Sequence, residues 1–132
     1  MTDSPPRFAV DRCLAKRVPA ALTSLGWDLV SIYDIFPDDA AQVSDEEWIL
    51  WANDHVDGAL TKDENIRRSP SLRVATLPIF GLSRQDLGFQ AMTDLFNMNR
   101  ARIERITASH PGRQFWTIYK SGEMRRTDIN SR

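Results

Sequence analysis

Three aspartates stand where carboxylates could converge to do chemistry. Asp11 ends the short apolar run Arg7 to Val10, and Asp63 follows a second such run, Gly58 to Thr61. If both runs are strands of a parallel sheet, their carboxyl ends form the crevice in which α/β proteins bind ligands. Asp45 precedes Trp48 and Ile49 by three and four residues and Ala52 by seven. On a helix it therefore extends the buried stripe, and it either caps the helix or points into the crevice. Three carboxylates brought together repel one another unless a cation neutralises them, and oxygen-only ligands select Mg²⁺ or Mn²⁺. Each also has a structural explanation: Asp11 as a turn starter, Asp45 as a favourable charge on the helix dipole, Asp63 as a turn cap. Their placement at the corresponding ends of successive elements weighs toward a metal site. Glu46 precedes Ile49, Leu50 and Asn53 on a boundary face and is a second-choice ligand. Glu47 is accounted for by a capping box with Ser44 and is left out of the site.

Positioning these groups requires alternating strands and helices. Residues 7–10 read as a first strand. Leu14, Val18, Ala21, Leu22 and Leu25 recur at helical spacing, Pro19 sets the helix start about a turn before itself, and Gly26 stops it. Asp28 to Ile35 alternates with β-branched and aromatic residues as a second strand. Ser44 caps a helix whose stripe is Trp48, Ile49, Ala52 and Val56. Gly58 to Thr61 forms a third strand and Ala75 to Leu82 a fourth. Ser83 with Asp86 caps a long helical region to about His110, broken in its middle. Phe115 to Tyr119, a Ser121-Gly122 turn and Met124 onward predict a terminal hairpin. This order implies crossover connections and a mostly parallel central sheet flanked by helices: an α/β fold in three layers. Residues 1–6 are expected as a disordered tail and 7–132 as a single domain.

Composition excludes several classes. With 132 residues, 42% hydrophobic and 27% charged, the chain suits one globular domain. No apolar run approaches the roughly 18 residues that span a bilayer, and the Met1 to Pro6 segment has no secretory pattern. A single cysteine, Cys13, excludes an internal disulfide and a cysteine metal cluster, which favours a reducing cytoplasm. Without a nearby histidine, Cys13 reads as a small buried hydrophobe. The net charge of −1 conceals a split. Residues 1–66 hold 13 acidic and 5 basic residues, a balance of −8, and residues 67–132 hold 5 acidic and 12 basic, a balance of +7. Acidic and basic faces would suit phosphodiester chemistry, and solvated helix surfaces would give the same counts. Trp48 and Trp51 are expected in the core rather than as base-stacking groups, and His55 and His110 in local surface or capping roles. No Gly-rich phosphate loop is present.

Four segments, Arg7-Phe8-Ala9-Val10-Asp11-Arg12-Cys13-Leu14, Leu25-Gly26-Trp27-Asp28-Leu29-Val30, Ser44-Asp45-Glu46-Glu47-Trp48 and Leu60-Thr61-Lys62-Asp63, follow in that order. Together they resemble the PIN-like nucleases, in a divergent branch related to the VapC toxins of bacterial toxin–antitoxin pairs. The resemblance is strong over residues 7–70 and looser to about 127. It implies a three-layer PIN-like fold and a Mg²⁺- or Mn²⁺-dependent ribonuclease, in which a metal-activated water attacks an RNA phosphodiester. Asp11, Asp63, and Asp45 or Glu46 match its acidic positions, and Thr61 matches a hydroxyl common in its third-strand motif. One departure stands out: relatives often carry a further Asp where this chain has Asn65, which puts a second metal in doubt. Arg67 and Arg68, just beyond the Asp63 loop, are the best candidates for RNA phosphate contact. Arg12 is a weaker candidate, and Arg100, Arg102 and Arg105 could line a basic face or merely a solvated one. A cognate antitoxin partner is implied by resemblance only, and a homodimer is left open. A non-catalytic RNA- or protein-binding module on the same fold is the runner-up. A receiver-like domain is disfavoured, because it would want an acidic pair where Arg12 and Cys13 follow Asp11.

Overall fold

The computed structural model describes residues 5–62, 66, 69–83 and 86–127. Six strands, β1 (Arg7–Val10), β2 (Asp28–Ser31), β3 (Gly58–Thr61), β4 (Pro78–Leu82), β5 (Gln114–Ile118) and β6 (Met124–Thr127), form one sheet in the order β2-β1-β3-β4-β5-β6. All neighbours pair in parallel except β5 and β6, which form the antiparallel hairpin the sequence predicts. The helices are α1 (Arg17–Ser24), α2 (Ile32–Ile35), α3 (Asp45–His55), α4 (Phe89–Met98) and α5 (Arg100–Ala108).

Strand alternation sends side chains to two separate cores. Phe8, Val10, Leu60, Phe80 and Leu82 pack with Leu14, Val18 and Leu22 around α1, and with Phe96 of α4 and Ile103 of α5. Ala9, Ala59 and Ile79 face the other way, against Ile32, Trp48, Ile49, Ala52 and Leu72. Helices thus cover both faces, and the architecture is the three-layer α/β sandwich expected. A Cβ at Gly81 would come within 2.7 Å of Phe115 Cζ, so this position in β4 needs glycine for the ring to close the second core.

Local chemistry moves three expected boundaries. The second strand stops at Ser31, whose hydroxyl accepts the Tyr33 amide and starts α2, so residues 32–35 are helical rather than extended. The fourth strand starts at Pro78, not Ala75, because residues 70–74 wind into a 3₁₀ helix that Ala75 closes. The long helix is not capped by Ser83. That residue's amide extends the β4–β5 ladder to Ile118 O, and α4 begins after Gly88. The break expected in its middle falls at Asn99, whose amide side chain donates to Leu95 O and Gly122 O.

Candidate active site

The strand order 2-1-3 makes β1 and β3 neighbours while their connections leave on opposite faces, and the crevice opens at such a switch point. Asp11 continues the β1–β3 ladder by donating its amide to Leu60 O, which sets its side chain at the carboxyl edge of the sheet. The residue is only 4% exposed. Oδ2 accepts the Thr61 hydroxyl at 2.9 Å and the Cys13 thiol at 3.3 Å. Burial raises the Asp11 pKa above the ordinary carboxylate value. The Cys13 and Thr61 hydrogen bonds oppose that rise, and the charge of Asp45 adds to it.

Asp45 is the first residue of α3, behind Ser44, and the Ser44–Glu47 capping box forms as expected. Its Oδ1 accepts the indole Nε1 of the fully buried Trp48 at 3.0 Å. That bond, three residues along one helix face, turns the carboxylate toward the crevice. Asp11, Arg12, Cys13, Tyr33, Asp38, Ala41 and Asp45 line a common cleft of about 580 Å³. Of the residues expected there, the structure brings Asp11, Asp45 and Thr61 together. Glu46 is exposed and does not line this cleft, and Asp63, Arg67 and Arg68 lie outside the described residues.

Other side chains depart from their sequence reading. Cys13 is a polar junction rather than a bland hydrophobe: its sulfur also lies 3.2 Å from Thr61 Oγ1 and accepts the Lys62 amide at 3.4 Å. Burial, and then the Asp11 charge, push its thiol up to about 12. Arg12 Nη1 donates to Ala40 O at 2.9 Å and to Ala41 O at 3.1 Å, and so clamps a loop. Arg100 binds Leu25 O, Gly26 O and Glu104, and Arg102 binds Met124 O, so both tie elements together. Tyr33 went unnoticed because α2 was read as strand, although the Ser31 cap signal was there to find; Asp38 lies beyond α2, in a segment that read only as a polar connection. Trp48 is core, and His55 bonds Trp51 O while stacking on its ring, both as expected.

Asp11 and Asp45 bring carboxylate oxygens, the donors a hard cation prefers, into one cleft beside the Cys13 sulfur. Among the described residues, no three His, Cys, Asp or Glu side chains form a complete metal cage. Asp11 and Asp45 are the two carboxylates of the expected set that the described residues bring to one cleft.

A mostly parallel sheet with a buried acidic residue at the switch point is a ligand-binding arrangement common to open α/β folds. The family model described as a PIN like domain matches residues 6–84, more than half of the chain, and the chain belongs to that family. No curated protein and no solved structure gives a match. No helix among the described residues is long and apolar enough to cross a membrane.

Proposed function

We propose that this chain is a metal-dependent endoribonuclease that acts in the cytoplasm as the toxin of a toxin–antitoxin pair, in a branch related to VapC. The observation that carries the reading is Asp11, a carboxylate buried at the β1–β3 switch point within reach of the Asp45 charge, in a chain of the PIN-like family. Asp11, Asp45 and Asp63 would hold Mg²⁺ or Mn²⁺, with Glu46 as the substitute for Asp45. When bound, the cation would supply charge neutralisation, polarisation of a phosphodiester and a more acidic attacking water. The chain's own residues do the rest. Thr61 and Cys13 fix the rotamer of Asp11, Trp48 fixes Asp45, and a carboxylate of the set would orient the attacking water and accept its proton. Arg67 and Arg68 would bind the RNA backbone, and a cognate antitoxin would shield the acidic crevice. Asn65, in place of a further acid, favours a single cation.

Incubation of the purified protein with total RNA in Mg²⁺, in Mn²⁺ and in chelator tests the activity. Cleavage in either cation, lost in chelator and in Asp11→Asn, is the expected result. RNA retention without cleavage under all three conditions would instead support the non-catalytic binding module. Expression of the chain alone should slow growth of a host cell; harmless expression of a protein that cleaves RNA would remove the toxin assignment.

A further inference from the structure

The cleft beside Asp11 has one aromatic wall that the acidic chemistry leaves unused. Tyr33, the second residue of α2, is half-buried and lines the cleft with Asp11, Arg12 and Ala41. Its hydroxyl donates to Arg12 O at 2.7 Å, which fixes the ring against the segment that carries Asp11. Arg12 in turn holds Ala40 O and Ala41 O. That loop carries two non-glycine residues in the left-handed region, Asp38 at φ 55° and Ala40 at φ 63°, a strain that persists only where neighbours enforce it. Ring, clamp and loop therefore form one preorganised wall. The Lys16 ammonium sits over the ring, 4.9 Å from its centroid, and takes one of its two faces; Lys16 is not among the residues that line the cleft.

The rest of the lining selects the occupant. Three carboxylates, Asp11, Asp38 and Asp45, face this space, while the Arg12 guanidinium is bound to two carbonyls. A bare phosphate would be repelled, whereas a neutral planar group is not. At about 580 Å³ the cleft falls within the roughly 300–1,000 Å³ of small-ligand sites. We propose that Tyr33 is a stacking platform for one nucleobase of single-stranded RNA, next to the phosphodiester that the carboxylate set addresses. The inference rests on the nuclease reading and names its substrate class. Bases inside a duplex are already stacked and cannot enter. With the Tyr33 hydroxyl committed to Arg12 and one face to Lys16, a base would stack on the face that Lys16 leaves, and every base has a π-face to offer it.

The test is binding of an eight-nucleotide single-stranded RNA in Ca²⁺, with its integrity checked on a gel, beside a series carrying one abasic residue moved along the strand. Wild type should bind roughly tenfold more weakly at one or two abasic positions, the scale of a single base–aromatic stack. Tyr33→Leu should bind the intact strand roughly tenfold more weakly and flatten the series, and Tyr33→Trp should keep the pattern. A flat series in wild type, or wild-type affinity in Tyr33→Leu, overturns the proposal. If Tyr33→Leu melts early, Tyr33→Phe decides: a retained pattern supports stacking and a lost one overturns it. A protein that shows the pattern but never cuts RNA in Mg²⁺ or Mn²⁺ sinks the nuclease reading alone, and one that cuts with a flat series sinks the platform alone.

Discussion

Asp11 carries an electrostatic cost that metal-free protein should display. Its pKa is raised by burial, so the folded state holds the proton to higher pH than the unfolded chain does. Stability contributed by that proton is present below the ordinary carboxylate pKa and is lost as pH rises through the raised folded value. In chelator, wild type should lose stability across that window on a denaturation series, and Asp11→Asn should lack this component and melt at or above wild type. Mg²⁺ or Mn²⁺ should then stabilise wild type and leave the mutant unchanged. Cys13 gives an independent reading. With its thiol at about 12, little thiolate forms at pH 8, so iodoacetamide should modify the native protein far more slowly than the unfolded chain. Fast native alkylation would mean that the Asp11–Cys13–Thr61 junction is not closed. Asp11 was legible in the sequence because a strand end is a local signal. The polar duty of Cys13 was not, since it depends on Thr61, 48 residues away in β3.

Helix starts, more than helix interiors, set the site. The capping box at α3 and its apolar stripe were readable from Ser44, Glu47 and Trp48, and they left Asp45 either as a cap or as a group pointing into the crevice. What separated Asp45 from a mere dipole residue was its bond to Trp48 Nε1, which no propensity encodes. Asp45→Asn keeps an acceptor for that indole, so it should cost under about 1 kcal/mol of stability, the scale of one charge at a helix start, while abolishing cleavage. Asp45→Ala leaves a buried donor unpaired and should cost about 1–3 kcal/mol more visibly in chemical denaturation. If Asp45→Asn cleaves like wild type, Asp45 serves the helix alone. Glu47→Gln preserves the box and should leave both melting and cleavage unchanged. Alternation misled the reading of α2, because Asp28 to Ile35 fits a strand until Ser31 offers its hydroxyl to the chain two residues on. That one cap turns Ile32 into the core and Tyr33 onto the cleft.

The charge split along the chain does not translate into a basic face of equal extent. Order along the chain told where Asp11 would stand, because it follows a strand of a parallel sheet. It did not tell which arginines are available, because their partners are backbone carbonyls in other elements. Arg100 reaches Leu25 O at 2.8 Å and Gly26 O at 2.9 Å, pairs with Glu104 and lies over Trp27, so it fastens α5 to the end of α1. Arg102 holds Met124 O and covers Trp116 in the hairpin. Two populations of arginine should therefore separate in one experiment. RNA affinity measured from about 50 to 200 mM salt should fall steeply, since each phosphate contact releases counterions. Arg67→Ala with Arg68→Ala should weaken binding and flatten the salt slope by about one to two contacts, with little change in melting. Arg100→Ala should do the opposite. Water can reach the exposed Leu25 and Gly26 carbonyls once the guanidinium is gone, so the fold should be destabilised by only about 0.5–1.5 kcal/mol, with the slope unchanged. A flattened slope for Arg100→Ala at wild-type stability would place the RNA across α5 instead, and an unchanged slope for the Arg67 and Arg68 pair would mean that these two arginines do not contact it.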